Sequence, residues 1–436
     1  MSLQGSKTKA LYQQAAKIMP YGVSSNFRYW GPDDTMVMTR AQGPYMWDAD
    51  DKRYIDYRLG FGPVILGHAH PEINRRVAEA IQGGTIFAWM TPLEIEVCER
   101  VARMTGMEMV RLTNTGTEAT MHSLRLARAH TGREKFIKYE GAYHGMSDYY
   151  LYSTASSRAT AMGSRRNPIP QQNSSGIPKG LSQYVYTLPF NDEELLEDLI
   201  ERTWQDVAAL IIEPTMGNIA GIGPVPGYLE KVRELTAKYG IVLIFDEVKT
   251  GFRLANGGAQ EVFGIRADLA TYAKSLGNGF PVAAIAGKRE IMMTMEPGAV
   301  SHGGTYVGNV VGTAAAVAVL EMLETKPILE EVKARGQQLM EGIDEILTEA
   351  DIPHCMTGLP AMFGYILGTE VPPRDFREYA KGNAPLYEAI AVELIHRGVM
   401  PDADGREPWF MCHAHDESII GETLDVFKDA VHAAKK

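Results

Sequence analysis

Three short stretches of this sequence carry chemically useful side chains where a folded chain would bury them. In IVLIFDEVKTGFR (241–253), five apolar residues run directly into Asp246 and Glu247. A run so apolar reads as a strand covered on both faces, and a carboxylate at its end is costly to bury unless a cation or donor meets it. In NTGTEA, Asn114, Thr115, Gly116 and Thr117 stand where a strand hands over to a helix. Backbone amides, a hydroxyl and the positive helix end would make an anion cradle, although the same letters also serve as a plain capping box. In YAKSLGNGFPVAA, Lys274 follows an alanine and precedes a glycine-rich turn. Desolvation there would lower the pKa of its amine and ready it to attack a carbonyl; the plain alternative is a solvated loop lysine.

The elements needed to position these groups surround them. EVCERVARM reads as a helix, MVRLTN as a strand, TEATMHSLRLARAH as a helix stopped at Gly132, and KFIKYE as a strand again. Further on, DVAALIIEP and IVLIFDEV are strands flanking the helix PGYLEKVRELTAKYG, which ends at Gly240. This alternation predicts an α/β fold with a mainly parallel sheet between helices, and ligands bind such sheets beyond the carboxyl ends of the strands. Before it, KTKALYQQAAKIM predicts a short helix ending at Pro20, and GPYMWDADDKRYIDY a hairpin around Asp-Ala-Asp-Asp. After it, a long helix breaks at Pro327, resumes as ILEEVKARGQQLMEGIDEIL and leads to a compact tail of two or three strands. The chain therefore divides into a large domain over 66–315 and a small α+β domain formed by 1–65 and 316–436. Residues 156–180, rich in Ser, Arg, Pro and Gly, read as a long loop, either a lid or plain surface disorder.

Composition narrows the function. The 436 residues are 45% hydrophobic and 22% charged, as in a soluble globular protein of two or three packed units. A net charge of -11 offers no footprint for nucleic acid. The start, MSLQGSKTKALYQQ, has no apolar core of a secretory signal. The least charged stretch, GGTYVGNVVGTAAAVAVL, reads as a loop feeding a buried helix, not as a membrane span. Cys98, Cys355 and Cys412 lie far apart without a CxxC, as expected of a reduced, cytoplasmic protein. GHAHPE and CHAHDE each place two histidines at i and i+2, but zinc would need further ligands from elsewhere, so no metal is expected. Neither GxGxxG nor a Walker A sequence is present.

An anion cradle, a carboxylate for a pyridinium nitrogen and a lysine for an aldehyde together match the needs of pyridoxal phosphate. The stretches that carry them are NTGTEATMHSLRLARAHTGREKFIKYEGAYHG, LIIEPTMGN, LIFDEVKTGFR, the lysine segment and GGTYVGN. In that order they resemble the class III pyridoxal-phosphate aminotransferases, with the closest likeness to the glutamate-1-semialdehyde aminomutases. YIDYRLGFGPVILGHAHP and GGAQEVFGIRADL extend the likeness, which covers the chain from about Pro20 to its end. The resemblance implies the fold type I architecture and a homodimer with shared active sites. It makes Lys274 the lysine of the internal aldimine and the base that moves the substrate's α-proton, and Asp246 the partner of the pyridine nitrogen. It places Thr115, Gly116 and Thr117 at the phosphate, with Thr305 reaching it from a neighbouring subunit. Tyr143 would stack on the ring with His144 behind it, Val248 would pack on the opposite face, and Glu213 and Asn218 would lie near the 3-hydroxyl.

On the substrate side, the resemblance gives Arg28 a substrate carboxylate to hold, a bidentate task suited to arginine. It puts Glu407 near the substrate amine. The chain departs from the aminomutase pattern at Ser-Asn-Phe-Arg for Ser-Pro-Val-Arg, at Phe61 for a tryptophan and at Arg406 for an apolar residue. Its 156–180 loop is longer and carries Arg165 and Arg166, and these changes together are expected to crowd the substrate side. The implied activity is transfer of an amino group from a carboxylate-bearing amine, β-amino acids included, to a keto acid or aldehyde. An intramolecular aminomutase reaction is the first alternative, and a non-catalytic protein of the same fold the second.

Overall fold

A computed structural model describes residues 3–435. Its largest sheet has seven strands: β1 Met109–Thr113, β2 Lys135–Tyr139, β3 Val185–Leu188, β4 Val207–Ile212, β5 Val242–Asp246, β6 Leu269–Tyr272 and β7 Ala283–Gly287, in the spatial order β1-β7-β6-β5-β4-β2-β3. Only β7 runs antiparallel to its neighbours; the other pairings are parallel. Helices cover both faces, as a sheet apolar on both sides requires. Along β5, Val242 and Ile244 join one buried cluster with Leu124 and Leu126 of the helix Gly116–Thr131, while Leu243 and Phe245 join the other. Alternation of period two thus turns Asp246 toward the side of that helix. Burying each such Leu, Ile, Val or Phe contributes about 1.5–3 kcal/mol, so the strand that ends in Asp246 is firmly held.

The two ends of the chain meet. Met38–Gln42, Tyr45–Asp48 and Arg53–Asp56 form a meander that Val399–Met400 extends in parallel, and the expected hairpin pairs Tyr45 with Ile55. His354–Leu359, Met362–Leu367 and Trp409–Phe410 make a second small sheet. The expectation of a mainly parallel α/β sheet beside a smaller α+β part built from both ends is met. Three details differ. The first helix ends at Ala15, before the Pro20 expected to stop it. The C-terminal tail has four short strands, because one of them completes the N-terminal meander. Residues 156–180 fold into turns and a small hairpin, Gly163–Ser164 with Asn167–Pro168. The apolar helix Val310–Thr325 is buried along most of its length, and among the described residues no helix is long and apolar enough to cross a membrane.

Candidate active site

The site is built at the carboxyl end of the large sheet. The helix Gly116–Thr131 starts directly after β1, with Thr115 as its N-cap: Thr115 Oγ1 accepts from the Glu118 amide at 3.1 Å, and Glu118 Oε2 accepts from the Asn114 amide at 2.6 Å. Such a cap contributes about 1 kcal/mol. It leaves the first-turn amides of Gly116 and Thr117 facing a cavity of about 340 Å3. The two readings of NTGTEA are therefore compatible, since the Thr115 side chain caps while the amides stay open. The helix start also lies close to the turn after β5; a Cβ on Gly116 would come 3.0 Å from Val248 Cγ2.

Asp246 ends β5 at the floor of that cavity. Its Oδ2 lies 2.7 Å from His144 Nδ1, and its Oδ1 accepts from the Val248 amide at 3.1 Å and from Thr271 Oγ1 at 3.2 Å. A carboxylate can only accept, so Nδ1 of His144 carries the proton. Nε2 of the same ring is buried without a partner. Glu247 turns the other way and accepts from Thr250 and from the amides of Ala259 and Gln260, away from the cavity.

Lys274 follows β6 and adopts a left-handed φ of 49°, strained for a non-glycine residue. Its side chain is bonded to nothing else among the described residues and lines the cavity with Ala273, Phe280, Pro281 and Val282. Burial first, and the nearby ammonium of Lys249 second, push its amine down to about 7; the carboxylates of Glu407, Glu213 and Asp246 oppose that shift. A neutral, nucleophilic amine is therefore present at physiological pH.

Tyr143, Glu213 and Asn218 complete the wall. Glu213 Oε1 accepts from the Tyr143 amide at 2.9 Å, and Oε2 from the Gly217 amide at 3.0 Å. Burial raises the Glu213 carboxyl, with His144 the main opposing influence. Burial also lifts the Tyr143 hydroxyl to about 12, so it stays protonated. Beneath Tyr143, the fully buried Lys138 donates to the carbonyls of Tyr139, Ala142 and Tyr152, clamping the turn that presents Tyr143 and His144.

The fold thus gathers Thr115, Gly116, Thr117, Tyr143, His144, Glu213, Asn218, Asp246, Val248 and Lys274 around one cavity. A larger open cleft of about 910 Å3, lined by Arg125, Arg128 and Arg133, holds none of them. Thr305 is exposed and lies outside the cavity of its own chain. Arg28 is exposed and does not line the cavity, but the ring of its neighbour Phe27 stands edge-on to Tyr143 at 5.7 Å.

Three expectations need revision. His144 is not merely behind Tyr143, because it pairs with Asp246. Glu407 does not await an amine unpaired; its Oε2 lies 2.7 Å from Lys249 Nζ. Arg165 is bound by Asp192 and Asp375, and Arg406 by Asp404 and the Ala155 carbonyl. Neither these two nor Arg166 lines the cavity, so they do not crowd it. Three of the four histidines in those motifs have protein partners: His68 meets Asp56, His413 meets Glu331, and His415 Nδ1 accepts from the Cys412 amide, while His70 Nδ1 is buried without one. Among the described residues no three His, Cys, Asp or Glu side chains come together to hold a metal ion.

Residues 29–419 match the family model described as aminotransferase class-III. The chain belongs to that family. Class III aminotransferases are enzymes, and the cofactor of this one is pyridoxal 5'-phosphate. The chain is 39% identical over 423 residues to a glutamate-1-semialdehyde 2,1-aminomutase of Methanothrix thermoacetophila, covering 97% of this chain and 95% of the relative. It superposes on an omega-transaminase of Sphaerobacter thermophilus with a TM-score of 0.94 at 31% identity, covering 99% of this chain and 98% of the other. A solved transaminase with PLP bound matches with a TM-score of 0.89 at 29% identity, covering 98% and 97%.

The class III cavity fits that cofactor on its own chemistry. It offers a lysine without a partner, a carboxylate at the end of a buried strand, and open amides at a helix start. Gly145, at φ 91°, is needed beside the helix start, since a Cβ there would come 2.6 Å from Thr117 Oγ1. Sequence reasoning passed over Lys249 altogether. Its only signal was a charged residue three positions after Asp246, in a stretch otherwise apolar up to Phe245.

Proposed function

We propose that this class III enzyme transfers an amino group from a carboxylate-bearing primary amine, β-amino acids included, to a keto acid or aldehyde. The observation that carries the reading is Lys274: a half-buried lysine with a strained backbone, whose amine is pushed down to about 7, facing Asp246 across one cavity. When bound, pyridoxal phosphate supplies an electron-withdrawing ring that stabilises charge left by loss of the donor's α-proton. The amides of Gly116 and Thr117 would hold its phosphate, and Asp246, oriented by His144 and Thr271, would meet its ring nitrogen. Tyr143 and Val248 would confine the ring, and Glu213 and Asn218 would hold its edge. Lys274 Nζ, whose pKa of about 7 leaves a large neutral fraction, accepts the α-proton of the donor and returns it one carbon away. The apolar walls, Ala273, Phe280 and Val282 among them, exclude water and strengthen each charge contact.

Arg28 takes the donor's carboxylate. It is exposed, follows Phe27, which packs edge-on to Tyr143, and makes no ion pair among the described residues. Two copies of the chain form the working unit in the cytoplasm, with Thr305 of each reaching the other's phosphate site. Exposure of Thr305, and of Tyr306 beside it at 67%, supports that arrangement.

The 39% identity to an aminomutase supports a second reading, in which the amino group returns to the same molecule. Amino donors screened with pyruvate and 2-oxoglutarate, beside an acceptor-free control, separate the two. A transaminase stalls after one half-turnover without an acceptor, whereas an aminomutase continues. Mixing the protein with pyridoxal phosphate should give an absorbance band near the visible edge that Lys274→Ala abolishes. An unchanged band in that variant would sink the assignment of Lys274, and wild type that transfers nothing would support the non-catalytic alternative.

A further inference from the structure

Lys249 sits in the turn after β5 and lines the same cavity as Lys274, yet no step above uses it. Its side chain is only 7% exposed. Its Nζ donates to the Gly217 carbonyl, to Asn218 Oδ1 at 3.2 Å and to Glu407 Oε2 at 2.7 Å, which engages all three N–H groups of the ammonium. Gly217 makes the approach possible, because a Cβ there would stand 2.5 Å from Lys249 Cδ. Glu407 comes from the segment after Val399–Met400, 158 residues away, and its side chain is 19% exposed. The ion pair thus joins the cavity wall to the C-terminal part of the chain.

The pairing changes what an incoming substrate meets. A free Glu407 carboxylate beside the cavity would repel a substrate carboxylate and attract a second ammonium. Paired with Lys249, it does neither, and the guanidinium of Arg28, which has no ion pair among the described residues, stays available to a substrate carboxylate. We propose that Lys249 is a positioning residue that sets substrate charge: by neutralising Glu407 it makes the site accept carboxylate-bearing amines and reject diamines. The proposal rests on the reading that Arg28 receives the donor's carboxylate. The field of both charges reaches Lys274, where Lys249 lowers and Glu407 raises the amine's pKa.

The test uses the holoenzyme and reads binding apart from turnover. The ligand 3-phenylpropanoate has a carboxylate and no amine, so its Kd is measured calorimetrically without reaction. Three donors that differ only at the distal group, 3-amino-3-phenylpropanoate, 1-phenylpropylamine and 1-phenylpropane-1,3-diamine, are then compared with pyruvate as acceptor. Lys249→Met should weaken 3-phenylpropanoate about tenfold or more. It should also raise KM for the carboxylate donor more than it lowers kcat, and improve kcat/KM for the diamine relative to the monoamine. Lys249→Met combined with Glu407→Gln should recover the carboxylate Kd, a rescue that a purely structural lysine would not permit. A wild type that does not bind 3-phenylpropanoate, a single variant that binds it as wild type does, or a double variant as weak as the single one overturns the proposal. Because binding is read without turnover, loss of amino transfer alone counts against the reaction proposed above, while the Kd ratios still decide the role of Lys249.

Discussion

His144 Nδ1 and Asp246 Oδ2 lie 2.7 Å apart with both side chains buried, so the carboxylate at the end of the apolar strand has a protein donor of its own. The imidazole fixes which way the carboxylate points, and Thr271 Oγ1 and the Val248 amide hold the other oxygen. Replacing Asp246 by Asn keeps the shape and removes the charge. Asp246→Asn should still fold and still bind pyridoxal phosphate, while amino transfer falls on the order of 10²–10³-fold, as for loss of one preorganised charge contact. Single-turnover kinetics on the variant, with the absorbance band recorded in parallel, check both halves.

The depressed pKa of Lys274 gives a pH dependence of definite sign. Its amine is the nucleophile only when neutral, and burial brings its pKa from 10.5 to about 7. Capture of pyridoxal phosphate by the apoenzyme should therefore accelerate as pH rises through about 7 and then level off. An unshifted lysine would keep accelerating toward pH 10. Lys249→Met removes the second cause of the shift, so the midpoint should move to higher pH. Stopped-flow absorbance across a pH series reads the midpoint in both proteins.

The extent to which this arrangement could be foreseen follows from where each signal resides. The strand 242–246, the capped helix start and the lysine after β6 are local patterns, and each lies where periodicity and capping chemistry put it. Pairings set by tertiary contact were not legible. His144 and Asp246 are 102 residues apart, and Lys249 and Glu407 are 158 apart. A lysine in a turn reads as solvated, and only the close approach of Gly217 and the arrival of Glu407 bury this one. The 156–180 stretch misled for the opposite reason. Its composition reads as loop, yet the ion pairs that order it come from Asp192 and Asp375, outside the stretch.

Those ion pairs give a prediction of their own. Arg165 Nε lies 2.9 Å from Asp192, its other end reaches the buried Asp375, and Arg377 donates to the carbonyls of Met162 and Gly163. Arg165→Ala should loosen the hairpin Gly163–Ser164 with Asn167–Pro168 and cost about 1 kcal/mol, since Arg165 is partly exposed while Asp375 would lose one of its partners. Limited proteolysis should cut within 156–180 faster in the variant than in wild type. Equal cutting rates would mean that Arg377 and the hydrogen bonds of Ser153 and Thr154 to Gln171 and Asn173 hold the segment without Arg165.

Gly217 offers a way to disturb the Lys249 pair without touching either charge. Its Cα passes so near the lysine stem that an added methyl would meet Lys249 Cδ at 2.5 Å and Glu213 Oε2 at 3.2 Å. The stem is flexible and Glu213 is anchored by the Tyr143 amide, so the lysine should be the group that moves. Gly217→Ala should therefore pull Nζ away from Glu407 and destabilise the protein by about 1–3 kcal/mol through overpacking. With Glu407 released, KM for a carboxylate donor should rise several-fold while kcat changes less, the pattern of lost ground-state binding. In a Glu407→Gln background the same methyl should leave KM nearly unchanged, because no charge is then set free. A KM that rises equally in both backgrounds would show that the methyl acts by distorting the Glu213 wall, and that the ion pair has no part in the effect.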